Sequence, residues 1–359
     1  MNWVVIEEQQ DKESIKHAGG KAREDLNSIL LSMGLQELRI VGPKKNRAAA
    51  TPLSRAAYHI QFADIWSKAL RKVKDGDTII MQFPVINDTI LLSRIIRSIK
   101  KKNVKVCVFI HDLETIRMAN DTNLSPLARW RLKREELDGL RQFDRIIVHN
   151  QFMKDFLHSE LLISNDKMIP LEIFDYLIPD TGAVLKECSN YRSCIIAGNL
   201  NRNKAGYVYR LPEEPTFELY GINYDGESAS NVHYHGAFPA DELPCHLEGG
   251  FGLVWDGDSA ETCNGVWGNY LKYNNPHKTS LYLAAGFPVA IWKESAMANF
   301  IVSRNLGIAV NSLIELDSVL TQMSKEEYDV LKENALAISE NLRTGYFTKQ
   351  ALNKALESI

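Results

Sequence analysis

The stretch Tyr273-Asn274-Asn275-Pro276-His277-Lys278-Thr279-Ser280-Leu281-Tyr282-Leu283-Ala284-Ala285-Gly286-Phe287-Pro288-Val289 reads as a loop, a short helix, a glycine stop and a buried strand running to Trp292. Pro276 suits a helix start, where its missing N–H has no intrahelical partner to lose. Asn275, Lys278, Thr279 and Ser280 surround that start, and Gly286 marks the stop. Free N–H groups, the positive end of the helix dipole and a mobile ammonium make a ready anion site. The same residues also read as an ordinary capped helix with a solvated lysine.

Outward from this stretch, strands and helices alternate. Apolar strands are predicted at 3–6, 38–41, 78–83, 104–110 and 145–148, with helices at 21–33, 55–73, 89–99 and 152–162. After an irregular stretch, 172–193, strands recur at 194–197, 217–220, 232–234, 251–255 and 288–292. Helices fit at 240–247 and 279–285, and 325–359 reads as two helices broken near Gly345. Short apolar strands between helices indicate parallel sheets covered on both faces. The expected fold is α/β, in two doubly wound halves joined near 180–192, with ligands bound between the carboxyl ends of the sheets. The expected division is 1–185, 186–340 and a terminal helix, 341–359, returning to the first domain.

A length of 359 residues suits two domains. A hydrophobic content of 45%, a charged content of 24% and a net charge of −3 fit a soluble protein with no overall drive toward nucleic acid. The clusters Lys100-Lys101-Lys102 and Lys44-Lys45 are short and read as solvated surface that could also approach an anionic membrane. Five cysteines without CxxC spacing point to a reducing compartment and away from a zinc site; Cys107 and Cys194 fall in apolar strands. No secretion signal and no apolar run long enough for a membrane helix is visible, so the expected location is cytoplasmic.

Loops after strands carry the candidate chemistry. Ala18-Gly19-Gly20-Lys21 precedes a helix, where paired glycines let backbone approach a ligand. His111-Asp112 ends a buried strand, and either side chain is a candidate general base. The alternative is that Asp112 caps the next segment while His111 packs. His149-Asn150 repeats the pattern: the two could bind an acceptor hydroxyl or satisfy each other. Ala197-Gly198-Asn199-Leu200-Asn201-Arg202 is a second glycine turn with polar and cationic groups, and Tyr220-Gly221 offers a ring that could stack on a base or simply pack. Asp256 and Asp258 flank a glycine in a DxD pattern that suits metal-bound nucleotide-sugar chemistry, but Asp258 is as easily a turn residue, and no metal is assigned. The insert 260–271 shows no derivable chemistry. The patterns GxxxxGK[ST], GxGxxG and GxSxG are absent, which removes the usual support for P-loop, dinucleotide and serine-hydrolase chemistry.

The runs at 20–25, 197–201, 251–257 and 273–288 resemble a bacterial family of two-domain sugar transferases. That family includes galactofuranosyltransferases of lipopolysaccharide and capsule assembly and glucosyltransferases that extend glycans on serine-rich adhesins. The resemblance spans nearly the whole chain and implies the GT-B fold, two Rossmann-like domains facing across a cleft. It implies transfer of a hexosyl group, galactofuranose or glucose, from a UDP-sugar to a hydroxyl of a glycan, glycolipid or glycopeptide, without cofactor or metal. It places Tyr220 at the uracil and ribose, Lys278 at the diphosphate and residues 199–202 at the nucleotide edge. Gly20 and Lys21 form the loop closing over donor or acceptor. The donor-binding set is then Gly20, Lys21, Asn199, Arg202, Tyr220, Asn275, Lys278, Thr279 and Ser280, with Asp112 or His111 as base. Two other readings remain open, a nucleotide-binding scaffold partner of another transferase and a GT-B-like sugar-nucleotide epimerase. Peripheral contact with the inner membrane face and homo-oligomer assembly are compatible with the transferase reading.

Overall fold

A computed structural model describes residues 1–8, 20–42, 51–86, 91–118, 124–179, 190–227 and 229–359. Ala18, Gly19, Lys44, Lys45, Thr89 and most of the expected junction (180–189) lie outside the described residues.

The first half runs β1 (Asn2–Glu8), α1 (Lys21–Ser32), β2 (Gln36–Val41), α2 (Pro52–Ala69), β3 (Thr78–Phe83), α3 (Leu92–Lys100) and β4 (Lys105–Ile110). It continues with α4 (Glu114–Arg117), α5 (Pro126–Leu140), β5 (Arg145–Val148), α6 (Gln151–Leu161) and β6 (Met168–Pro170). The second half begins β7 (Cys194–Asn199), α7 (Arg202–Ala205), β8 (Phe217–Ile222), β9 (Val232–Tyr234), α8 (Leu243–His246), β10 (Phe251–Val254) and α9 (Gly265–Tyr270). It ends α10 (His277–Ala284), β11 (Val289–Trp292), α11 (Ala298–Ser303), β12 (Gly307–Val310), α12 (Leu313–Gln322), α13 (Lys325–Thr344) and α14 (Tyr346–Glu357).

Both sheets are six-stranded and parallel throughout, in the orders β2-β1-β3-β4-β5-β6 and β9-β8-β7-β10-β11-β12. The second order reverses direction between β7 and β10, where such sheets open a crevice at their carboxyl ends. Central strands are buried on both faces, which is why β10 reads as an unbroken apolar run and β3 is buried at every position rather than at alternate ones. At the mouth of that crevice β7 and β8 meet too closely for any residue but glycine. Gly221 holds φ +154°, and a Cβ there would sit 1.8 Å from the Gly198 carbonyl oxygen.

The core is continuous between the halves. One apolar cluster runs from Val4, Ile80 and Ile147 through Ile173 and Tyr176 to Tyr282, Val289 and Leu352. The terminal helices knit it together: α13 packs on α10, and α14 packs on α1, β5 and β6. Gly345, at φ +78°, turns the chain between them. The N-terminus of α14 has no cap from its own sequence; Asp175 accepts from Phe347 N at 3.2 Å and Thr348 N at 2.7 Å.

Among the described residues no helix is long and apolar enough to cross a membrane. Lys100 is fastened to Asp144 at 2.9 Å and to the Gln142 carbonyl, whereas Lys101 and Lys102 are exposed. The elements that sequence reading leaves unassigned include α4, α5, β6, α9, α11, β12 and α12. The helix expected at 55–73 instead begins at Pro52 behind a Thr51 cap, with a 3₁₀ turn from Leu70 to Lys72 after it.

Asp175→Ala removes the side chain that caps α14. The expected loss is about 1–3 kcal/mol of stability, with faster amide exchange confined to 346–357; unchanged exchange there means α14 is held by packing alone.

Candidate active site between the two domains

A cleft of about 560 Å³ lies between the carboxyl ends of the two sheets. The second domain contributes Asn199, Lys204, Asp256, Trp267, Tyr270 and Lys278 to its walls; the first contributes Arg23, His111, Asp112, Arg117, His149 and Phe174.

Lys278 stands in the first turn of α10, where Pro276 precedes the helix as expected. Its ammonium donates to Asp256 Oδ1 at 2.9 Å and the Trp255 carbonyl at 2.8 Å. Lys204, on α7, is the second cation of this wall; burial lowers its pKa, and Asp256 acts against that shift. The Lys204 ammonium lies 5.0 Å from the Trp267 ring centroid and the Arg117 guanidinium 4.8 Å from it. Three cations from both domains therefore converge on Asp256 and Trp267.

Opposite them, His111 and Asp112 follow β4. His111 Nε2 bonds Gln82 Oε1 at 2.5 Å. The Gln82 amide nitrogen donates to Asn27 Oδ1 and the Arg23 carbonyl, so its oxygen accepts and His111 Nε2 is the donor. Burial, then Arg23 and the neighbouring histidines, hold the His111 pKa well below its ordinary value. His111, His149 and His277 surround Phe174 at centroid separations of 5.6, 5.0 and 6.1 Å. Burial pushes His149 and His277 down to about 4, so the cluster is neutral at physiological pH. The Asp112 carboxyl is shifted up by burial, with Arg117, the Tyr270 hydroxyl, Lys204 and Arg23 acting against the shift. Arg23 donates to the Pro84 carbonyl and faces Glu7, whose carboxyl burial raises to about 7.

Several candidates serve the frame instead of the cleft. Gly20 is exposed ahead of α1, and Lys21 is absent from the cleft lining. The Lys21 ammonium is buried among Asp25 at 2.7 Å, Asp241 at 2.5 Å and the Leu177 carbonyl at 2.7 Å, tying the domains together. Ala22 and Arg23 reach the cleft in its place. Asn275 lines the cleft, yet its amide is spent: Nδ2 donates to the carbonyls of His149 (2.6 Å) and Glu172 (3.0 Å), and Oδ1 accepts from Asn150 (2.7 Å). His149 and Asn150 thus satisfy a loop of the second domain rather than each other. Thr279 and Ser280 are buried outside the lining, their hydroxyls lack partners among the described residues, and Thr279 N–H already donates to the Pro276 carbonyl.

On the nucleotide side, Arg202 points out to Asp225 at 3.1 Å and stacks on Tyr209. Asn199 lines the cleft while accepting from Asn201 N and Asn223 Nδ2. Tyr220 also lines it, but His235 covers its ring at 4.6 Å and 8°, and its hydroxyl accepts from Glu248 N. Stacking of a base on Tyr220 is therefore blocked in this arrangement. Asp258 is a turn residue held through Asn264, away from Asp256. Sequence reading missed Arg23, Arg117, Lys204, Trp267 and Tyr270. The last two come from the insert 260–271, where their aromatic rings were the only sequence signal.

Two facing Rossmann-like domains with a cleft between their sheets define the GT-B fold. Sucrose-phosphate synthase of Thermosynechococcus elongatus shares it with a TM-score of 0.63 at 12% identity, over 100% of this chain and 99% of that one. A UDP-forming α,α-trehalose-phosphate synthase of Burkholderia xenovorans gives 0.53 at 11% identity, over 86% and 80%. The chain belongs to the glucosyltransferase 3-like family, whose N-terminal domain matches residues 2–173 and whose C-terminal domain matches 194–355. The β-1,6-galactofuranosyltransferase WbbI of Escherichia coli K12 is 35% identical over 290 residues, 80% of this chain and 81% of the relative. Glucosyltransferase 3 of Streptococcus gordonii is 28% identical over 346 residues, 94% of each chain. The protein is a glycosyltransferase.

Lys21→Ala strands the Asp25 carboxylate in the domain contact. The expected cost is about 3 kcal/mol of stability with affinity for UDP unchanged within twofold; lost affinity at an unchanged melting temperature would return Lys21 to the donor site.

Proposed function

We propose that the protein moves a hexosyl group from a UDP-sugar to a hydroxyl of a growing glycan, glycolipid or glycopeptide. The observation that carries this reading is the opposition, across one cleft, of the Lys278–Lys204 pair to Asp112. The relatives' names point to glucose and galactofuranose as the sugars to test first.

In a single displacement the acceptor oxygen bonds to the anomeric carbon as the bond from that carbon to the β-phosphate oxygen breaks. UDP leaves with the electron pair. Negative charge therefore grows on the diphosphate, where Lys278 and Lys204 meet it; one preorganised donor of this kind is worth about 3 kcal/mol of barrier. Lys278 is already oriented by Asp256 and the Trp255 carbonyl, so little reorganisation is needed. These side chains supply the counter-charge of the diphosphate, and no divalent cation is assigned to it.

Asp112 takes the acceptor proton. His111 is the weaker candidate, because its Nε2 is committed to Gln82 and surrounding cations oppose an imidazolium. Water that takes the acceptor's place in the cleft would hydrolyse the donor instead.

UDP at a hundred times its Kd is expected to stabilise the wild-type protein by about 2.7 kcal/mol in buffer holding EDTA, read as a thermal shift. Lys278→Ala loses at least tenfold in UDP affinity; a shift that needs Mn²⁺ or Mg²⁺ to appear overturns the metal-free assignment.

For the base, Asp112→Asn is expected to lower kcat by about 10²–10⁴ with UDP affinity nearly unchanged. In the wild type the acid limb of kcat/KM should lie above the ordinary carboxylate range, because the Asp112 pKa is raised and only its ionised form accepts a proton. A loss of only a few-fold points to another base or to a retaining route.

A further inference from the structure

We infer that Tyr270 of the donor domain is a positioning residue for Asp112, so that the acceptor-side base is oriented only when the two domains are docked. This rests on the reading of Asp112 as the base.

Tyr270 ends α9, in the insert 260–271 of the second domain, yet it is buried in the apolar core of the first. The same cluster holds Leu113, Ile116 and Leu140. The hydroxyl accepts from the Leu113 backbone N–H at 3.1 Å, a bond joining residues 157 positions apart. A phenol that accepts one bond keeps its own proton to donate, and the carboxylate it acts on is the adjacent Asp112, whose ionised form it favours. Tyr270 therefore holds the loop by the backbone of Leu113, the residue next to Asp112, and acts electrostatically on the Asp112 carboxylate. The far end of that loop is fixed within the first domain, where Glu136 accepts from Glu114 N and Thr115 N at 2.7 and 2.9 Å. Nothing else from the second domain is hydrogen-bonded to Leu113 among the described residues.

Asp112 also faces Arg117 of α4, Arg23 of α1, Lys204 of α7 and, as a like charge, Glu136 of α5. Those partners set its charge environment, but none of them ties its backbone to the donor domain. Trp267, on the same helix as Tyr270, meets Arg117 and Lys204, so α9 carries both contacts that couple the donor cations to the base.

The test uses Tyr270→Phe in the full chain, with UDP release from UDP-glucose or UDP-galactofuranose and water as acceptor. The ring and its packing are kept and the hydroxyl alone is lost. The expected result is a kcat at least tenfold lower, a donor KM within twofold, and an acid limb moved to higher pH. The Tyr270 hydroxyl favours the ionised carboxylate and so lowers its pKa, and removing the hydroxyl raises it. Tyr270→Phe should add no further loss to Asp112→Asn, since the two act through one group. An unmoved acid limb, or losses that add, overturns the inference while leaving Asp112 as base. A near-normal Asp112→Asn overturns both together. If Tyr270→Phe does not fold, 3-fluorotyrosine at 270, a more acidic phenol and a stronger donor, should move the limb to lower pH; an unmoved limb is again fatal.

Discussion

The structure depends on one buried polar junction, the fastening of Asn275 to His149 and Asn150. The Asn275 N–H, both ends of its side-chain amide and the Asn150 amide nitrogen are matched across the domain boundary, while His149 Nε2 has no partner among the described residues. Asn275 N–H donates to His149 Nδ1 at 2.8 Å, which requires the ring to be unprotonated at that nitrogen. Asn150 does two tasks with one amide: its oxygen caps α6 through Met153 N, while its nitrogen donates to Asn275 Oδ1 and the Tyr273 carbonyl. Buried amides left unpaired cost about 1–3 kcal/mol each, so a small shift between domains is penalised at several positions together. A junction made only of apolar contacts would tolerate sliding; this one specifies a register. The loop it fixes leads directly into α10 and Lys278.

That register explains how one cleft holds a neutral base-side cluster beside a cationic donor side. Phe174 and its three histidines exclude water and disfavour charge, which is why all three imidazoles are shifted down. The charges lie instead around Trp267 and Asp256. Asp256 holds Lys278 in place, yet a lysine paired with a single carboxylate can exchange that partner for an arriving diphosphate of higher charge. Burying the pair completely would have made such an exchange costly. Lys278 and Asp256 side chains are instead 17% and 11% exposed, open toward the cleft.

The fold was legible because its period is carried by many residues at once. Apolar strands between helices survive an error at any single position. Short elements were not: β6 is three residues ending in proline, and β12 begins with a glycine. The site was harder to read, because its chemistry depends on helix phase. Lys21 and Asp25 share one face of α1 four residues apart, while Arg23, two residues on, lies on another face and reaches the cleft. The same offset separates Arg202, turned out to Asp225, from Lys204, turned in. Thr279 and Ser280 follow Lys278 directly and are buried for the same reason. Residue type announced a cation in each loop, but nothing local indicated which cation faced inward.

His111 and Asp112 show the converse, a choice that sequence left open and packing closes. Adjacent residues after a strand point to opposite sides, so only one can meet an acceptor lying in the cleft centre. The imidazole is drawn into the first domain by Gln82, whose own amide is oriented by α1. Making that ring a base would require a positive charge to form beside Arg23 and two further imidazoles in a site with little water. The carboxylate faces the opposite situation. Arg117, Lys204 and Arg23 surround it, and on losing its proton it gains their attraction. Burial raises its pKa enough to strengthen it as a base, and the cations keep the ionised form accessible. The same cations that draw the diphosphate to one wall therefore stabilise the ionised base on the other. Donor binding and base activation are in that sense two uses of one electrostatic arrangement, which works only while the Asn275 junction holds the walls together.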